Sequence, residues 1–372
     1  MMRMGTELFK VGKKMLLSVI TIFLVWSLYM LNVNKTNSTE DFVKRWLTNH
    51  NGTLSTYVNE SAVQDADLVS GREALSESLG FMMQYAIERE DLNLFKKQYS
   101  ILTRYFMNDE GFIHWKTIEN GTPNVTTNAT VDDLRIIKCL IDAYELWGNQ
   151  EFVNAGEKIY LQMELNTKVK NLLADYYDYQ TNSKSDTVTI AYIDTEALAK
   201  IDEYGFSDEK VFQEMMRVLS NTPSRYGFFA KAYNVEQESY FFDNEVNMID
   251  QLLIAINRSK IGQQNEEFLG LLKKKFIRDG KIFGRYFRGS SEPAVTYESP
   301  ALYALAILLL LENGDHDFAL SLYNRMIKFK EENPLSRHYG GYSVNKDNDT
   351  HIFDNLLPML AESVLRNQGL VK

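Results

Sequence analysis

The chain has 372 residues, 45% hydrophobic and 12% aromatic, which supplies a sizeable core and excludes a disordered or low-complexity protein. Its formal net charge of -10, with no basic stripe in the globular part, argues against a partner held by its phosphates, such as nucleic acid. The single cysteine, Cys139, lies inside an apolar helical pattern, which excludes an intramolecular disulfide and a paired-cysteine metal site and fits a buried thiol.

Residues 1–14 form a basic tail containing Arg3, Lys10, Lys13 and Lys14. Residues 15–33 carry no charge and are long enough to cross a bilayer core. The positive charges precede them and no small-x-small cleavage motif follows. The expected arrangement is therefore an uncleaved single-pass anchor, with the tail in the cytoplasm and the rest of the chain outside the cell membrane. Residues 34–42 read as a polar linker, and 43–372 as one domain, because only 6 prolines and no long linker interrupt them. Asn37, Asn51, Asn124 and Asn128 begin glycosylation sequons, which reflect Asn-rich loops unless the host is eukaryotic.

Helical periodicity then recurs at about 42–50, 71–89, 91–106, 131–147, 150–161, 165–174, 193–203, 208–219, 244–258, 264–275, 298–312, 315–331 and 352–367. Strand signals are confined to FIHWK (112–116), TVTIAYI (187–193) and KIFGRYF (281–287). About a dozen helices in one domain, without a short sequence repeat, leave a bundle, a solenoid or a closed toroid of helical pairs.

Three acidic clusters stand near helix starts. In SGREALSESLG, Ser70 and Glu73 have capping-box spacing and place Glu77 in the second turn, opposite the core stripe of Leu79, Met82 and Ala86. A solvated glutamate is the simplest account of Glu77, although Ser76, Ser78 and Gly80 would leave room for a ligand beside it. In NATVDDLRIIKCLIDAYELW, Ile136, Leu140, Ala143 and Trp147 form the stripe; Thr130 or Asp132 can cap, and a second acid suits the helix dipole. In ESYFFDNEVNMIDQLLIA, Asp243 can cap a helix whose stripe is Val246, Ile249 and Leu253. An aspartate so placed stays ionised, as a general base must. The five histidines have no zinc-site spacing, and nucleophile elbows and phosphate loops are absent, so no metal or cofactor is expected. Paired carboxylates among many aromatics point to glycosidic bond cleavage or to carbohydrate binding.

In order, these clusters resemble glycoside hydrolase family 8, whose members are inverting enzymes on an (α/α)6 toroid. SESLGFMM is similar to the family's Ser-Glu-Gly-x-x-Tyr-Gly-Met segment and GFIHWK (111–116) to its Gly-Leu-x-x-Trp-Lys. ATVDDLRIIKCLIDAYELW follows the next signature through Ala129, Thr130, Asp133, Ile136, Cys139, Ala143 and Trp147, with Val131 where the first aspartate is usual. Tyr240-Phe-Phe-Asp243 matches the base segment, without the arginine that follows in many members. The resemblance implies Glu77 as general acid, Asp243 as base, Trp115 as a stacking residue, and Asp132 or Asp133 on the sugar hydroxyls. The pair would stand about 6.5 to 9.5 Å apart to admit a water, and an apolar wall such as Phe81 or Trp115 would keep Glu77 protonated. Tyr192, Tyr240, Tyr297 and Tyr339 are groove candidates. Together with the expected anchor, the chain most resembles the exopolysaccharide-operon members of Gram-positive bacteria. That implies a polysaccharide substrate and contact with an exopolysaccharide synthase complex. The rival is a catalytically decayed, membrane-anchored glycan-binding or assembly protein.

Overall fold

The computed structural model describes residues 37–60, 69–207 and 209–371. Among them are twelve α-helices: α1 (Ser38–Trp46), α2 (Ser76–Glu88), α3 (Leu92–Ile101), α4 (Thr130–Trp147), α5 (Gln150–Thr167), α6 (Thr195–Glu203), α7 (Glu209–Ser220), α8 (Met248–Lys260), α9 (Glu266–Asp279), α10 (Pro300–Glu312), α11 (His316–Met326) and α12 (Phe353–Asn367). The even-numbered helices pack side by side in a closed circle, α2 on α4, α6, α8, α10 and α12 in turn, with α12 back against α2. Outside them, α3, α5, α7 and α11 each fold back on the preceding inner helix, and α1 packs on α12. The sixth outer helix is α9, which follows α8 and buries Phe268 and Leu272. This is the expected (α/α)6 toroid.

Composition sorts the two rings. Helix α10, PALYALAILLLLE, is apolar on every side because an inner helix meets neighbours on both flanks and behind; α7 buries only Val211, Met215, Val218 and Leu219. Asn149, Asp194, Asn247, Ser299 and Asp315 accept first-turn N–H groups and start α5, α6, α8, α10 and α11. Gly148 and Gly280 end α4 and α9 in the left-handed conformation.

Several local expectations are corrected. Helix α1 starts at Ser38, within the expected linker, because Asn37 caps Thr39 and the helix buries Phe42 and Val43. Residues 165–174 do not form a separate helix: α5 runs to Thr167, and Lys168–Val169 then pairs with Leu172–Leu173. Ser70 and Glu73 bond each other in a turn, but α2 begins only at Ser76, so Glu77 lies in its first turn. Helix α8 begins at Met248 under Asn247, not under Asp243, since Glu245–Asn247 is extended and pairs with Arg285–Phe287. Of FIHWK, only Lys116 enters a strand, and TVTIAYI turns after Thr189 into a 3-10 helix at Ile190–Tyr192. The strands at 74–75, 116–117, 187–189, 232–247 and 285–287 all lie in connections from an outer helix to the next inner one. They therefore crowd one end of the toroid, where the inner helices begin.

Asn37 and Asn128 are buried at 4% exposure, which removes them as modification sites in the folded chain. Cys139 is buried and its thiol is pushed up to about 12 by burial, as a structural thiol should be. Among the described residues no helix is long and apolar enough to cross a membrane; the expected tail and anchor lie outside them.

Candidate active site

A cavity of about 360 Å³ runs along the toroid axis, and its lining identifies the inward face of each inner helix. On α2 this face carries Phe81, Gln84 and Glu88, and on α8 it carries Leu253, Ile256 and Lys260. Stepping one helical turn back from Phe81 gives Glu77, and from Leu253 gives Asp250. Both are half-buried, in the first turn of their helices. The face of α2 opposite its core stripe thus looks onto the axis.

Tyr192 marks the centre of this end. Its hydroxyl is held well above the usual phenol range, first by burial and then by the negative charges of Asp175, Asp250, Asp132 and Glu77. These four carboxylates come from four different segments, so only the closed toroid brings them to one phenol. Asp175 is fixed at both oxygens by Thr189, through its N–H and its hydroxyl, each at 2.7 Å. Trp115 is placed by backbone pairing: the strand at 116–117 runs beside Ala74–Leu75, and Ser76 N–H donates to the Trp115 carbonyl at 2.9 Å. Half-exposed Tyr297 lies against Gly284, where a Cβ would come 2.3 Å from the ring. The Gly284 carbonyl accepts from Met248, the first residue of α8, so Tyr297 stands beside the helix that carries Asp250.

The adjacent acids Asp132 and Asp133 have different surroundings. Asp132, 4% exposed, accepts from the Ser76 hydroxyl at 2.7 Å, from Arg135 Nη1 at 2.8 Å and from the Glu77 N–H. Burial pushes it upward and these three donors oppose the shift. Asp133, 2% exposed, accepts from Asn128 at 2.7 Å, its Oδ1 is buried without a partner, and burial holds it well above the usual carboxylate range. Neither acid caps its own helix, and Thr130 donates instead to the Ala174 carbonyl at 2.6 Å.

Asp243 has a different environment from Asp250. Its Oδ1 accepts from Arg288 Nη2 at 2.5 Å, and the same guanidinium binds the carbonyls of Asp243, Phe228 and Phe229. Phe229 in turn bonds Gln251, one residue beyond Asp250 and therefore on another side of α8. Tyr240 spends its hydroxyl on the Val218 carbonyl at 2.7 Å and packs on Tyr233. Tyr339 lies with Ser38, Lys330 and Arg366 in a small polar pocket beside α1, away from the carboxylates. Of the residues singled out in the sequence, Glu77, Asp132 and Tyr192 share one electrostatic neighbourhood, while Asp133 is held by Asn128, Asp243 by Arg288 and Tyr240 by the Val218 carbonyl, and Tyr339 lies beside α1. Sequence reasoning missed Asp175, Arg135 and Asp250, although Asp250 stands three residues before the apolar Leu253 of an expected stripe.

The small residues around Glu77 also have specific partners. Ser76 bonds Asp132, Ser78 is buried, and a Cβ on Gly80 would stand 3.0 Å from Arg135 Cδ. They let α2 and α4 approach closely, rather than opening space for a ligand.

Two concentric rings of six helices, with four carboxylates acting on one phenol where the inner helices begin, define an (α/α)6 toroid with an acidic site at its mouth. Residues 15–177 match the profile of the glycosyl hydrolases family 8. A Bacillus subtilis protein described as the putative lipoprotein YdaJ is 34% identical over 316 residues, covering 85% of this chain and 86% of its own. Among solved structures, PssZ from Listeria monocytogenes superposes with a TM-score of 0.71 at 26% identity, covering 88% of this chain and 95% of that one. A Clostridium perfringens protein described as a novel alpha-amylase has a TM-score of 0.80 at 24% identity, over 88% and 96%. The family 8 endoglucanase of Klebsiella pneumoniae shares the fold at 0.60 and 14% identity, over 90% and 100%. The chain belongs to glycoside hydrolase family 8.

Proposed function

We propose that this family 8 glycoside hydrolase cleaves an exopolysaccharide outside the cell membrane by single-step inversion, with Glu77 as proton donor and Asp250 as base. The observation that carries the reading is that both side chains occupy the axial face of their helices at one mouth of the toroid, with the phenol of Tyr192 acted on by both charges. Glu77 gives its proton to the glycosidic oxygen as the bond to the anomeric carbon breaks. Asp250 takes a proton from the water that attacks that carbon from the opposite face. The rings of Trp115 and Tyr297 suit stacking against sugar rings. Asp250 takes the base role in place of Asp243 because it lies in the first turn of α8, one turn before the axial Leu253, whereas Asp243 lies in the connection before that helix, paired with Arg288.

An alpha-amylase and an endoglucanase have the same toroid, so the fold leaves the linkage open. The exopolysaccharide, the contact with a synthase and the membrane anchor rest on the family resemblance and on the apolar N-terminal segment. The decayed, glycan-binding alternative keeps its support from Val131 in the acidic signature and from the altered residues after Asp243. Both are tested by incubating the protein with exopolysaccharide from its host and following new reducing ends by proton NMR. The hydrolase reading expects release, an anomer opposite to the cleaved linkage, and its loss in Glu77→Gln. No release, with Glu77→Gln still complementing a deletion strain, leaves the binding protein.

A further inference from the structure

Helix α2 has no cap of its own. Its N-cap residue is Leu75, whose side chain accepts no hydrogen bond, so the first-turn N–H groups need an acceptor from elsewhere. Asp132 of α4 supplies it, taking the Glu77 N–H and the Ser76 hydroxyl. A buried carboxylate used this way needs a compensating cation. Arg135, one turn further along α4 and 8% exposed, donates to its other oxygen at 2.8 Å. The guanidinium also lies 4.1 Å over the ring of Phe81, which is one turn after Glu77 on the same face of α2. Its aliphatic stem passes Gly80, where a side chain would meet it at 3.0 Å. Arg135 therefore grips α2 on both sides of the glutamate turn: through Asp132 in front and through Phe81 behind.

On the reading that Glu77 is the proton donor, we propose that Arg135 is its positioning residue, fixing the Glu77 turn and holding the Asp132 carboxyl against it. The charged and titratable groups gathered at this point are Glu77 from α2, Asp132 and Arg135 from α4, Asp175 and Tyr192 from the connections before α6, and Asp250 from α8. The negative end of the Asp132–Arg135 pair is the nearer to Glu77, so it favours the protonated donor.

The test is a carbon-13 titration of Glu77 in the full chain labelled with [δ-13C]glutamate, assigned through Glu77→Gln, and it needs no substrate. In Arg135→Leu the Glu77 midpoint should fall by about one pH unit, a tenfold change in proton affinity, because the buried Asp132 becomes neutral. In Asp132→Asn it should fall further, since an uncompensated Arg135 remains; Arg135→Lys should stay near the wild type. An unchanged midpoint in folded Arg135→Leu overturns the proposal. If that variant does not fold, an unchanged midpoint in Asp132→Asn overturns it, because asparagine retains the acceptor for Ser76. A shifted Glu77 in a chain that cleaves nothing removes only the hydrolase reading, whereas turnover with an unmoved Glu77 removes only this one.

Discussion

Replacing Asp250 and Asp243 separately by asparagine should divide rate from stability. Asp250→Asn removes a carboxylate from the axial mouth and leaves the core below Leu253 untouched. The loss of a general base should lower kcat about 10²- to 10⁴-fold in the protein that remains folded. Asp243→Asn instead withdraws the charge from a bond of 2.5 Å to an arginine that is 6% exposed. That guanidinium keeps three backbone acceptors, the carbonyls of Asp243, Phe228 and Phe229, so it is not stripped bare. The cost should be about 1.5 to 3 kcal/mol, the value of one hydrogen bond to a charged group, rather than the larger penalty of an orphaned buried ion. Reducing-end release from host exopolysaccharide, normalised to the folded fraction from urea unfolding, separates the two effects. Wild-type turnover in Asp250→Asn, with turnover abolished at unchanged stability in Asp243→Asn, would refute the assignment and return the base to Asp243.

Gly80→Val should destabilise the fold by about 1 to 3 kcal/mol, because its branched side chain would enter the space taken by the Arg135 stem; urea unfolding checks it. Asp133→Asn concerns a carboxyl whose folded value is raised by burial, so the wild-type contribution is present below the unfolded value of about 3.9 and is lost as pH rises through the folded one. The variant should therefore gain on the wild type between pH 4 and pH 8 in urea midpoints, and parallel curves would show that Asp133 is ionised.

The stripe of Leu79, Met82 and Ala86, the all-apolar α10 and the turn residues between helices made the helical hairpins legible from the sequence, because burial on one face imposes its own period. Glu77 and Trp115 were singled out through the family motifs, and Tyr192 only as one of four groove candidates. The capping logic was less dependable. Ser70, Thr130 and Asp243 each have suitable chemistry at a suitable spacing, yet none caps the expected helix: Ser70 and Glu73 close a local turn before it, while the Ala174 carbonyl and Arg288 claim Thr130 and Asp243.

By itself the sequence determined the helical periods, the family and a glutamate at the start of the second helix. Closure of the ring decided which side of that helix Glu77 occupies in function. A face opposite the core stripe meets water on an isolated hairpin, but the axis of a toroid when six hairpins close. The same closure brings the charges of both Glu77 and Asp250 to bear on Tyr192 and leaves Asp243 to Arg288, a difference of seven residues along the chain that local periodicity does not encode.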